Sequence, residues 1–98
     1  MQEIDVVVDE KEFRLSGDLH RRKLREYVAG LKKEPFLGDR IPRRLVPKRF
    51  RELLNLFRLE LPEGWRALYT VASGPAAGTQ IRIVWMGNHT RYERLLGF

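Results

Sequence analysis

Leu56-Phe-Arg-Leu-Glu-Leu-Pro-Glu-Gly-Trp-Arg-Ala-Leu-Tyr-Thr-Val71 is the stretch that decides the fold. Its first six residues alternate, with Leu56, Arg58 and Glu60 facing one way and Phe57, Leu59 and Leu61 the other, the period of a half-buried strand. Pro62-Glu63-Gly64 interrupts the run, because proline fixes φ and lacks an N–H while glycine tolerates positive φ. Trp65 to Val71 then resumes as a second run rich in aromatic and β-branched residues. Two such runs joined by a short glycine-containing loop predict a β-hairpin. It sets Arg58 and Arg66 on adjacent strands near one turn, beside Glu60 and Trp65. A third run, Thr79 to Met86, is predicted to pair with the second strand and to deliver Gly87-Asn88-His89-Thr90-Arg91-Tyr92 to one end of the sheet.

The whole chain has 98 residues, enough for one domain (1–98) with one modest core. Nineteen Lys and Arg against thirteen Asp and Glu give a net charge of +6. In so small a domain this excess favours a polyanion or an acidic protein as partner, the plainer alternative being solubility. There is no cysteine, which excludes a disulfide framework and a thiolate metal site and agrees with a reducing cytosol. No apolar run reaches the roughly 20 residues of a membrane span. Glu3 and Asp5 stand where a signal peptide carries basic residues, so a cytoplasmic location is expected.

Ahead of the hairpin, Ile4 to Val8 reads as a first strand covered on both faces. Asp9 is placed to cap a short helical turn over Glu10 to Leu15. Asp18 is a candidate N-cap for the main helix, Leu19 to about Lys33, whose apolar stripe is Leu19, Leu24, Tyr27, Val28 and Leu31. His20, among the arginines of the opposite face, reads as a solvated helix residue. Pro35 to Pro47 holds three prolines and a glycine and is expected to be an ordered but irregular connection, with helical turns over Lys48 to Leu54. Ala72 to Gly78 reads as a small-residue loop, and Tyr92 to Leu96 as a last helical turn or a cover for a sheet edge. The order predicts an α+β domain: an N-terminal strand, two helices, then a twisted antiparallel sheet of sequential strands with helices on one face.

Nucleotide-binding, zinc and nucleophile-elbow motifs are absent, and two histidines are too few for an all-protein metal site, so no metal or other cofactor is expected. Chemistry is concentrated where Arg58, Arg66, His89, Tyr92 and Arg91 are predicted to meet at one end of the sheet. RNA cleavage by the neighbouring 2′-hydroxyl needs a base for its proton, cations for the charge on phosphorus and an acid for the leaving 5′-oxygen. Histidine suits either proton transfer, arginine forks onto phosphate oxygens, and Glu60 is the other candidate base. The alternative is a surface Arg58–Glu60 ladder with His89 as a turn residue. Trp65, Tyr69 and Trp85 read as core residues. The dense set Arg40, Arg43, Arg44, Lys48, Arg49 and Arg51 suits an RNA backbone, an acidic peptide, or solvent.

Phe57-Arg-Leu-Glu-Leu61, Gly64-Trp-Arg-Ala-Leu-Tyr-Thr-Val71 and Ile81-Arg-Ile-Val-Trp-Met-Gly-Asn-His-Thr-Arg-Tyr92, with the upstream Lys33-Glu-Pro-Phe-Leu-Gly38, resemble the RelE/ParE superfamily of toxins from prokaryotic type II toxin–antitoxin systems. The resemblance spans essentially the whole chain. It implies a RelE-like α+β fold and, in the RelE/YoeB-like branch, a metal-independent mRNA interferase. Such an endoribonuclease enters the ribosome, cuts mRNA by 2′-hydroxyl attack to leave a cyclic phosphate, and so inhibits translation. By position, Arg58 and Arg66 would clamp the scissile phosphate and His89 would fall where the family has Arg or His. Tyr92 lies near its terminal tyrosine. Glu60 replaces the lysine of RelE, a glutamate–arginine–histidine set being similar to the YoeB-like branch. The base is then Glu60 or His89, and the acid the other of these or Tyr92, with Arg40, Arg43, Arg44, Lys48, Arg49, Arg51 and Arg91 on RNA or ribosome. Implied partners are a cognate acidic antitoxin, the ribosome and mRNA, with no membrane and no small-molecule cofactor. The alternatives are a ParE-like, non-enzymatic DNA gyrase inhibitor and a RelE-fold binding domain without catalysis.

Overall fold

The hairpin forms as the alternation requires. The computed structural model describes residues 4–8, 11, 17–73 and 78–97. Five strands are seen: β1 (Ile4–Val8), β2 (Asp39–Arg40), β3 (Phe57–Glu60), β4 (Arg66–Ser73) and β5 (Thr79–Gly87). Two α-helices lie wholly among the described residues, α1 (Asp18–Leu31) and α2 (His89–Leu96). Single turns of tighter helix lie at Arg43–Leu45 and Lys48–Phe50, and Pro62–Gly64 makes a tight turn with non-helical backbone at Glu63. The strands stand in the order β1-β5-β4-β3-β2. This is an α+β domain with a mixed sheet.

The β3-β4-β5 part of the expected antiparallel sheet of sequential strands is present, and the topology departs from that expectation in two ways. First, β1 runs parallel to β5, with Ile4 opposite Thr79 and Val8 opposite Ile83. Secondly, β2 lies inside the segment expected to be irregular, pairing Asp39 with Arg58 and Arg40 with Phe57. These are residues between Gly38 and Pro42 whose N–H groups are free to join a ladder, so the prolines shorten the strand without preventing it. The predicted turn over Glu10 to Leu15 lies outside the described residues, apart from Lys11.

Each face of the sheet is covered by its own apolar layer. Leu24 and Leu31 of α1 pack on Phe57, Leu59, Leu61, Ala67, Tyr69, Ile81, Ile83 and Met86. On the opposite face Ile41, Val46, Phe50, Leu56 and Leu68 pack with Trp85 and with Tyr92 of α2. Helices therefore sit on both faces, where one was expected. The cause is a bulge in β5: Leu68 pairs with Trp85 but Tyr69 with Ile83, skipping Val84. One extra residue reverses the side-chain alternation, so Ile81 and Ile83 face α1 while Trp85 faces α2.

Helix α1 begins one residue earlier than expected. Gly17 is its N-cap, and His20 reaches back so that its Nδ1 accepts the Gly17 N–H at 3.3 Å. His20 is not solvated: it is 7% exposed and stacks on Trp65 at 4.1 Å between ring centroids, while Leu19, given to the core from periodicity, is 46% exposed. The imidazole has an aromatic ring to lie on and a backbone N–H to accept, while its Nε2 is buried without a hydrogen bond, 3.8 Å from the Glu63 carboxylate.

Tyr69 ties the connection after α1 to the sheet. Its hydroxyl donates to the Pro35 carbonyl at 2.9 Å and accepts the Gly38 N–H at 2.8 Å. A Cβ on Gly38 would lie 2.8 Å from both the Arg58 carbonyl and the Tyr69 ring, so only glycine lets the chain pass close enough to start β2. That contact places Asp39 beside Arg58.

Candidate functional site

The face opposite α1 carries a charged cluster built by strand register. Glu60 stands opposite Arg66, and Asp39 opposite Arg58, in adjacent antiparallel pairs. Opposed residues on one face lie close enough to interact directly. The Glu60 carboxylate spans both guanidiniums: Oε1 is 3.4 Å from Arg58 Nε and Oε2 is 3.2 Å from Arg66 Nε. Neither contact has hydrogen-bond geometry, so both Nε–H groups are shielded from water without an acceptor. Arg58 Nη2 also donates to Asp39 Oδ2 at 3.3 Å. Two cations are thus held around one carboxylate.

Tyr92 roofs the pair. Its hydroxyl is 3.5 Å from Arg58 Nη1 and its ring centroid 5.7 Å from the Arg66 guanidinium carbon. The hydrogen bond to Tyr92 is the largest influence raising the Arg58 pKa above its ordinary value, and burial opposes it. The guanidinium stays charged at any working pH. Tyr92 is fixed by α2, whose N-cap Asn88 accepts the Arg91 N–H through Oδ1 at 2.9 Å, and by Trp85 at 6.1 Å. Trp85 in turn covers Gly87, where an added Cβ would be 2.6 Å from the indole. At the hairpin turn Glu63 and Gly64 take φ of 60° and 75°. The Gly64 and Trp65 carbonyls accept Arg66 Nη1 at 2.8 and 3.1 Å, which anchors that side chain.

Arg58, Glu60, Arg66 and Tyr92, predicted from sequence to meet, do meet. His89 forms no hydrogen bond or ion pair with them; its ion pair is with Glu93. It is exposed at the start of α2, with Nε2 2.7 Å from Glu93 one turn along, and its Cβ lies 3.5 Å from the position a Gly64 Cβ would take. Arg91 is exposed, its guanidinium 5.9 Å from the Trp85 ring centroid. Of the basic set, Arg40, Arg44, Lys48, Arg49 and Arg51 are exposed. Arg43 donates to the carbonyls of Leu53 at 2.7 Å and Arg51 at 2.5 Å, so its guanidinium clasps the loop. Arg49 lies over the Phe50 ring at 4.9 Å. Asp39 was missed; within a Pro- and Gly-punctuated segment nothing in the sequence marks it as the strand partner of Arg58.

A cavity of about 200 Å³ adjoins the cluster, lined by Asp39, Arg40, Ile41, Pro42, Leu45, Arg58, Tyr92 and Leu96. Among the described residues no three His, Asp or Glu side chains come together as metal ligands, and no helix is long and apolar enough to cross a membrane. What the cluster offers chemically is a site for one anion between two fixed cations, with a carboxylate and a phenol at hand for proton transfer. Comparison with known protein families, curated proteins and solved structures finds no match.

Proposed function

We propose that the chain is the toxin of a type II toxin–antitoxin pair of the RelE/ParE kind, acting in the cytoplasm as a ribosome-dependent, metal-independent mRNA endonuclease. The observation that carries this reading is the Glu60 carboxylate held between the Arg58 and Arg66 guanidiniums, neither Nε–H finding an acceptor. A scissile phosphodiester takes the place of that carboxylate and satisfies the two forks. Displaced, Glu60 accepts the 2′-hydroxyl proton as the oxygen attacks phosphorus. The bond from phosphorus to the 5′-oxygen breaks, Tyr92 supplies the proton to the leaving oxygen, and a 2′,3′-cyclic phosphate remains. Arg58 and Arg66 stabilise the charge that builds on the phosphoryl oxygens. His89, exposed and paired with Glu93 rather than with a cluster residue, positions RNA or ribosome in this scheme and is not the base.

The excess of basic residues supports polyanionic substrates and an acidic antitoxin. The test is inducible expression in a bacterium, with primer extension on a reporter mRNA, comparing wild type with Arg66→Ala and Glu60→Gln. Cuts within translated regions that vanish in both variants are expected. Growth arrest with intact mRNA and damaged DNA would transfer the chain to the gyrase-inhibiting branch. No arrest at all would refute a toxin.

A further inference from the structure

We propose that the cavity beside Arg58 is a base-selective subsite, taking one amino-bearing nucleobase of the RNA and rejecting uracil, with Asp39 as the selecting residue. This rests on the endonuclease reading above. Arg58 belongs both to the anion cluster and to the cavity wall, so a nucleotide whose phosphate lies on Arg58 has its base within reach of the cavity. The volume, about 200 Å³, suits one planar ring system, since an apolar cavity of about 150 Å³ holds a benzene ring. Ile41, Pro42, Leu45 and Leu96 supply apolar walls, as the two faces of a base require.

The edge of the base is read by what remains polar. An ionised carboxylate only accepts hydrogen bonds, and Arg58 engages one oxygen of Asp39, Oδ2, leaving acceptor capacity on a group with about four lone-pair sites. Cytosine, adenine and guanine each present an exocyclic amino group to an acceptor. Uracil presents carbonyls on both sides of its single N–H and is repelled. The same carboxylate, 70% exposed at the cavity mouth, disfavours an acidic peptide segment as the occupant.

The experiment uses the full chain and fluorescently labelled oligo-uridylates, 2′-deoxy throughout to prevent cutting, with one C, A or G moved along the strand position by position. At one position an amino-bearing base is expected to tighten binding at least about tenfold over uracil. Asp39→Asn, whose amide both donates and accepts, is expected to bring the four bases to within about twofold of one another. Leu45→Trp, filling the cavity, is expected to reduce the C, A and G oligomers to the affinity of the all-U strand. A flat base profile in the wild type, or an unchanged preference in Asp39→Asn, overturns the inference. If Arg66→Ala still abolishes binding in that case, the endonuclease reading stands without it. Binding that survives Arg58→Ala and Arg66→Ala overturns both. A flat profile in which poly-glutamate displaces RNA from wild type but not from Leu45→Trp assigns the cavity to an acidic protein instead.

Discussion

Replacing Glu60 by Gln keeps the side-chain shape and removes the negative charge from between two guanidiniums. The carboxylate now lies 3.2 and 3.4 Å from their Nε atoms, so a phosphate arriving on the same arginines meets it as a like charge. At a separation of roughly 6 Å that repulsion is about 0.7 kcal/mol in water and about 2.8 kcal/mol at an effective dielectric of roughly 20. Glu60 is 52% exposed, which holds the value near the lower end, at about 1 kcal/mol. Glu60→Gln is therefore expected to bind a short, uncleavable oligoribonucleotide about fivefold tighter at low salt. The two ion pairs are worth little at this exposure, so stability falls by only about 1 kcal/mol. Cutting of translated mRNA should nonetheless drop at least about a hundredfold, because an amide cannot take the 2′-hydroxyl proton. Anisotropy titration measures the first quantity and primer extension in a reconstituted translation mixture the second. Unchanged or weaker binding would show that Glu60 does not occupy the phosphate position, and full cutting would show that it is not the base.

Tyr69→Phe removes two hydrogen bonds to the backbone of the Pro35–Gly38 connection and should cost about 2 kcal/mol, read as a lower urea midpoint at unchanged slope. Burial raises the Tyr69 hydroxyl above its ordinary 10.0, so above that pH the unfolded chain gives up the proton first. The Tyr69 contribution is complete below pH 10 and is lost as pH rises beyond it; in Tyr69→Phe this part of the alkaline decline should disappear from pH-dependent urea titrations. His20→Ala loses the cap at Gly17 and the stack on Trp65, and should cost about 1–3 kcal/mol; a change below the error of denaturant titration would return His20 to the solvated class. Gly87→Ala forces the Trp85 indole away and is expected to destabilise by about 1–3 kcal/mol, with mRNA cutting reduced further than the lost folded fraction explains. Cutting that merely tracks folded fraction would detach Trp85 from the positioning of Tyr92.

The hairpin was legible because its signals are local. A period of two over Leu56 to Leu61, a Pro-Glu-Gly turn and an aromatic second run leave one arrangement, and it carries Arg58, Glu60 and Arg66 to one face whatever the rest of the chain does. Tyr92 was legible as a neighbour of the arginines but not as a roof over them, since its placement depends on Val84 being skipped in the ladder. Strict alternation through Thr79 to Met86 would have put Trp85 with Ile81 and Ile83 on the α1 face. A bulge is settled by what packs on either side, which a strand's own residues do not record. His20 failed for a related reason: helical periodicity counted it polar, while the partner that makes it a core residue, Trp65, comes forty-five positions later in the chain. Asp39 required knowledge of register between segments that are irregular by composition.

The parallel seam between β1 and β5 has a kinetic consequence. Ile4 meets Thr79, whereas Glu60 meets Arg66 across a single turn. Closing a chain segment about tenfold longer costs roughly 2 kcal/mol more in entropy. The β3–β4–β5 meander should therefore assemble first and β1 dock last, onto a surface already formed. A strand that docks last on a sheet edge is expected to open before the meander, so the amides of Val6 and Val8 are expected to exchange with deuterium through a local opening while those of Leu68 and Tyr69 wait for the whole domain to unfold. The seam is where a protease, or a competing strand from another chain, would first find this fold ajar.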